Sequence, residues 1–185
     1  CSIPCTGGSR RNDMNPARHT ESFQRNLWAK RAVARKLWRN FEKVAELGLQ
    51  FGWGIAIEWP NACSYWKWPA VTRFLERHGL RKAYCRGCAV GLKDDLGIPI
   101  AKPWRIEIDM PELHASLDAC RCPGKHAHLV HSGCQGKYAR MSGAYTPTFA
   151  RRVHRAFERN TTGVQKCWTG GSPSDSCAAA TQDYS

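Results

Sequence analysis

From Thr20 to Leu47 apolar side chains return at three- and four-residue steps, through Leu27, Ala34, Leu37, Trp38, Phe41, Val44 and Ala45. Such a period belongs to an α-helix, and a run of this length predicts about eight turns with one face turned to a core. The opposite face carries Arg25, Lys30, Arg31, Arg35, Lys36, Arg39 and Lys43. Gly48 supplies a stop signal. Everything else in the chain has to pack against one side of this rod and leave its cationic side in water.

The cationic face is part of a wider imbalance. Across 185 residues, 28 Lys and Arg stand against 15 Asp and Glu, a formal charge of +13. An excess on this scale, clustered on a helix, points to a polyanionic partner, with nucleic acid the commonest; a merely solvated basic surface is the alternative. No apolar run approaches the roughly 20 residues of a membrane span, so no membrane role is expected. Ten cysteines in a chain of this length fall short of a disulfide-dense mini-protein. They favour a reducing, intracellular location, with the nucleus among the options. Secretion with disulfides stays open, because the chain begins without methionine. Oligomeric state is not legible.

The remaining elements follow from local signals. "SIPC" reads as a strand ending near Pro4, and "SRRNDMNPARHTESF" as an arginine-bearing loop entering the long helix. "WGIAIEWP" (53–60) reads as a buried strand with Glu58 near its end. Pro69 opens a helix to about residue 78, which Gly79 ends. "LRKAYCRGCAV" is a further strand leaving into a loop, and "PWRIEID" (103–109) alternates like a half-exposed strand. "PELHASL" makes a short helix. Thr146-Pro147 caps a last helix to about Asn160, carrying Arg151, Arg152, Arg155 and Arg159. Residues 161–185, rich in Gly, Ser, Thr and Ala, read as a disordered tail or linker. Strands alternating with helices predict an α/β fold for residues 1–160: a Rossmann-like, open, mainly parallel sheet, the carboxyl-terminal half of a larger domain. In such sheets ligand groups collect at the carboxyl ends of strands, where Cys5, Glu58 and the loop after Cys88 would meet.

Two resemblances add to this. "PCTGGS" with Asn15 nearby, "IAIEWPNACSYW", "GCAVGL", "GIPIAKPWRI", "CPGKHAH" and "YT" at 145–146 resemble, in one order, a family of proteins abundant in dinoflagellate genomes and often found in retroelement-like reading frames. That likeness spans Ser2 to about Phe157 and implies a mobile-element origin, without a chemistry. More distantly, Pro4-Cys5, Glu58 in "IEWP", and "GIPIAKPWRI" with Lys102 and Arg105 resemble cytosine-5 DNA methyltransferases. There a Pro-Cys nucleophile, a glutamate and an arginine-bearing stretch come in that order. The departures are the missing glutamine after the proline, an unmatched second arginine, and Trp59-Pro60 where the family favours Asn-Val. The loop for S-adenosylmethionine would lie before residue 1.

The resemblance implies a catalytic set of Cys5, Glu58 and Arg105. A thiolate attacks the ring, a carboxylic acid offsets charge on the ring nitrogen, and Arg105 or Lys102 holds a phosphate or the base oxygen. Otherwise Cys5 is a packed turn residue and Glu58 an ion-pair partner. Candidate nucleic-acid contacts are Arg10, Arg11, Arg31, Arg35, Lys102, Arg151, Arg152 and Arg155. Trp59, Tyr65, Trp66 and Trp68 are either stacking faces or core.

"CRCPGKHAHLVHSGC" (120–134) crowds Cys120, Cys122, His126, His128, His131 and Cys134 into fifteen residues. Thiolate and imidazole suit zinc. The preferred ligands are Cys122, His126, His128 and His131, in a structural site, with Cys88 or Cys134 able to replace one of them. Three surface histidines are the alternative. Taken together, the sequence suggests a nucleic-acid-binding protein with a divergent methyltransferase-like site. A non-enzymatic zinc-stabilised binding module is its first rival, and a processing or nuclease domain of a retroelement its second.

Overall fold

The computed structural model describes residues 3–13, 20–124 and 130–169, with side chains to residue 160. Helix α1 spans Glu21–Gln50, and the Thr20 side chain caps it by accepting from the Phe23 backbone N–H at 3.2 Å. Its buried stripe is narrower than the apolar count suggests. Leu27, Ala34, Trp38, Ala45 and Gly48 are buried, whereas Leu37 and Val44, expected on the same face, are exposed. Gly48 lies inside the helix and does not end it. A Cβ there would sit 2.4 Å from the Trp53 ring, so the glycine lets the following loop fold back. The chain turns just beyond, at Gly52, whose φ is 73°.

Strand β1 (Ala56–Pro60) is followed by α2 (Pro69–Arg77) and β2 (Arg81–Arg86), and later by β3 (Pro103–Ile108). All of these lie where the sequence pattern puts them. The expected parallel sheet is not formed. The order is β1-β3-β2, with β3 antiparallel to both neighbours. The β1–α2–β2 unit does make a crossover between two strands of like direction, but it leaves a one-strand gap that β3 fills in reverse. The alternation of "PWRIEI" already favours this outcome, since parallel strands covered on both faces read as nearly continuous apolar runs. The fold is therefore mixed α and β around a small antiparallel sheet, not a Rossmann-like domain.

Register separates the side chains by face. Opposed pairs Glu58↔Ile106 and Ile106↔Ala83 lie on one face, Trp59↔Arg105 and Ile57↔Glu107 on the other. Against the second face pack α1 and α2, where Trp38 meets Phe41, Trp59 and Phe74 at ring distances of 5.2, 5.7 and 5.6 Å. Against the first pack α3 (Pro111–Asp118) and α5 (Pro147–Thr169), with Leu113, Leu117, Phe149 and Ala156 closing over Trp104, Ile106 and Ile108. Between them lies the short α4 (Lys137–Met141). No helix among the described residues is long and apolar enough to cross a membrane.

The expected amino-terminal strand is also absent from the described residues. Thr6–Gly8 and Arg10–Asn12 are single 3-10 turns. Ile3 is anchored by the Trp59 indole, which donates to its carbonyl at 2.8 Å. The two glycines of "TGGS" are there for contact. A Cβ on Gly7 would meet the Tyr65 hydroxyl at 2.4 Å, and one on Gly8 the Cys63 sulfur at 2.6 Å.

Candidate functional site

Three separate segments bring Cys88, Cys122 and His131 together. Cys88 sits on the 3-10 turn Gly87–Val90 that follows β2. Cys122 lies just past α3, in a segment fastened to the end of β2 by the bond from the Arg86 N–H to the Cys120 carbonyl, 2.8 Å. His131 enters through Ser132, whose N–H donates to the Pro99 carbonyl at 2.9 Å and whose hydroxyl donates to Asp94. The three donor atoms all lie within 4.8 Å of one another, and Cys122 Sγ is 3.5 Å from His131 Nε2. A tetrahedral zinc with its usual bond lengths separates such donors by roughly 3.5–3.8 Å, so the donor set and its spacing fit a borderline-soft ion. Burial, together with the adjacent Cys122, pushes the Cys88 thiol up to about 11.

Two ligands of the preferred set, Cys122 and His131, thus take part. His126 and His128 lie outside the described residues. Cys88 is the third donor. Cys134 is not, its sulfur lying 3.3 Å from the Ser142 hydroxyl instead. Within "CRGC" the two thiols diverge. Cys85, in β2, turns into the core against Cys120; both are free thiols, and the hydrogen bond between them raises the Cys85 thiol and lowers that of Cys120.

The catalytic set expected from the methyltransferase resemblance comes together only in part. Cys5, Arg10 and Lys102 line a cavity of about 290 Å³ that also includes Cys63, Cys134 and Ser142. Glu58 stands close enough for its charge to raise the Cys5 thiol, although burial is the larger cause. Burial likewise raises the Glu58 carboxyl; Oε2 accepts from the Tyr145 hydroxyl at 2.7 Å, and Oε1 is buried with no hydrogen-bond partner among the described residues. Lys102 points its ammonium at the Ser142 carbonyl, 2.8 Å. Both Cys5 and Glu58 are held toward their neutral forms. Arg105 does not join them. The alternation of β3 sends it to the other face, where Nη2 and Nε lie 2.5 and 2.6 Å from Oε1 of the buried Glu107 and the guanidinium stacks 4.4 Å from the Trp66 ring centre.

The basic residues divide similarly. Arg31 is half-buried, donating to the Gly7 carbonyl at 3.0 Å and pairing with Asp13, so it holds the amino-terminal turn. Arg10 and Arg11 are exposed, as are Arg151, Arg152 and Arg155 on α5, although Arg152 also reaches the Ser116 carbonyl at 3.5 Å. Arg35 lies over the half-exposed Trp68 ring at 5.2 Å. Trp59, Tyr65 and Trp66 are buried and serve as core, not as stacking faces. On α1, Trp28 is exposed, 68 % accessible, and did not stand out in the sequence. It shares one side of α1 with Arg35 and Arg39, seven and eleven residues on. Among the described residues Arg35, Lys36, Arg39 and Lys43 form no ion pair. Helical periodicity marked that side, but composition could not say which tryptophan it carried.

No protein-family model, curated protein or solved structure matches the chain.

Proposed function

We propose that the chain is a nucleic-acid-binding module whose loops are tied by one zinc ion. The observation that carries the reading is the outer side of α1, where the exposed Trp28 shares a face with Arg35 and Arg39, which form no ion pair among the described residues. Guanidinium groups neutralise phosphates, and an exposed indole offers a flat surface to an unstacked base. Arg10, Arg11, Arg151 and Arg155 are further exposed cations outside α1. Zinc at Cys88, Cys122 and His131 would fasten the end of β2 to the loops around it. The likeness to retroelement-associated frames agrees with a chain that handles nucleic acid.

The test is a fluorescence-anisotropy titration of labelled 20-nucleotide single strands, DNA and RNA, against the full chain. Arg35→Glu with Arg39→Glu should weaken binding at least tenfold. Reversing two exposed cations on the far side of the fold, Lys93→Glu and Arg81→Glu, should have a clearly smaller effect. Equal losses from both pairs would reduce the reading to bulk charge.

A second reading, a site acting covalently on a base, rests on Cys5 and Lys102 sharing one cavity beside Glu58. S-adenosylmethionine would supply the methyl group. Here Glu58, whose carboxyl burial pushes toward the neutral form, would give a hydrogen bond, and Cys5 would have to lose its proton on binding to attack. Methyl transfer that disappears in Cys5→Ser would support this reading; unchanged nucleic-acid binding without transfer would leave the module alone.

A further inference from the structure

Helix α1 carries a second apolar stripe that its own fold does not cover. Val33, Leu37, Val44, Leu47 and Phe51 are exposed, the last three at 59, 56 and 71 %. With Asn40 they follow one another at steps of four, three, four, three and four residues. On a helix these six positions fall within about 40° of a common line that runs roughly 27 Å, the last of them, Phe51, being the C-cap just past the end of α1. This is a narrow seam of 3.5-residue period, the pattern one helix presents to another in a coiled coil, with a single polar residue inside it. The stripe buried against the fold's own core is a different one, through Leu27, Ala34, Trp38 and Ala45.

The residues flanking the seam indicate what covers it. One flank bears Lys36 and Lys43, both exposed; the other, through Ala34, Phe41 and Gly48, turns into the fold. Antiparallel pairing of two copies of α1 through this seam would bring Lys36 and Lys43 against the same lysines of the second copy, a like-charge juxtaposition that disfavours it. A membrane surface calls for a broad apolar face, whereas this seam is one side chain wide and has Asn40 at its middle. We infer that the Val33–Phe51 stripe of α1 docks an acidic amphipathic helix of another protein, which pairs its own apolar seam with this one and sets Glu or Asp against Lys36 and Lys43. Asn40 fixes the register by calling for a polar residue opposite it.

The probe is a synthetic three-heptad peptide with leucine along its seam, one central asparagine and glutamate at both flanks, compared with the same peptide carrying lysine at the flanks. The glutamate peptide should bind the full chain at micromolar concentration and the lysine peptide at least tenfold more weakly. Val44→Ser with Leu47→Ser, exposed positions that leave the core intact, should weaken the glutamate peptide at least tenfold while nucleic-acid binding stays unchanged. The inference is overturned if the glutamate peptide fails to bind or if both peptides bind equally. It is likewise overturned if the serine variant binds as well as the parent. A chain that elutes as a dimer dissolved by the serine substitutions would make the occupant a second copy. Seam-dependent binding to anionic vesicles without peptide binding would make it a membrane.

Discussion

Cys88→Ser separates the metal centre from every other role of the cysteines. The substitution keeps the size of the side chain and removes one of three donors whose atoms lie within 4.8 Å of one another. A ligand that binds only the folded state stabilises it by RT ln(1 + [L]/Kd), about 2.7 kcal/mol when free zinc is held at 100 times the parent's dissociation constant. For a domain of this size that corresponds to a rise of about 5–10 °C in melting temperature. The assay is thermal unfolding of the full chain in zinc buffers and in chelator, with metal content measured alongside. The parent should hold one zinc and show the full rise, and Cys88→Ser should show neither. Cys134→Ser is the matched control, since its sulfur faces the Ser142 hydroxyl and not the cluster; it should retain both the metal and the rise. If Cys134→Ser loses zinc while Cys88→Ser keeps it, the centre has been assigned to the wrong residues.

Other consequences follow from the packing. Arg105→Met should destabilise the fold by about 3 kcal/mol in urea titrations, because it leaves the buried Glu107 carboxylate unpaired. Adding Glu107→Gln should recover most of that loss, and failure to recover would mean the pair is not what holds this face. Gly8→Ala places a methyl 2.6 Å from the Cys63 sulfur and 2.8 Å from the Tyr65 ring, so the amino-terminal turn should loosen at a cost of about 1–3 kcal/mol; an unchanged midpoint would refute the close contact. Burial lifts the Glu58 carboxyl above its ordinary 4.5, so the folded state binds this proton more tightly than the unfolded chain does. Stability tied to Glu58 therefore falls as pH rises from 4.5 through the folded value. Glu58→Gln should gain on the parent as pH rises above 4.5, and a pH-independent difference would contradict the burial.

Much of the fold was legible because its elements are locally specified. Thr20, Pro69 and Pro147 mark helix starts, and "IAIEWP" and "PWRIEI" mark strands. Strand direction was not, since a strand–helix–strand order leaves open whether a later strand enters the gap, and only the charged residues of β3 hinted that it does. The same alternation carried Arg105 away from Glu58, a consequence of register that linear order cannot reveal. Cys122 and His131 stood out by density, whereas Cys88 lay more than thirty residues away and joined them only through the pairing of Arg86 with Cys120. Apolar residues on α1 could be counted, but their division into one buried stripe and one exposed depends on what packs against the helix.

The most direct test of a nucleic-acid-binding surface is the salt dependence of binding to a labelled single strand, measured with the zinc-loaded full chain. If Arg35, Arg39 and neighbouring cations neutralise three or four phosphates, log K should fall with log[salt] at a slope of about −2 to −3, and Arg35→Glu with Arg39→Glu should make it shallower by at least one. A slope near zero, or one that the two reversals leave unchanged, would contradict the assignment of this face.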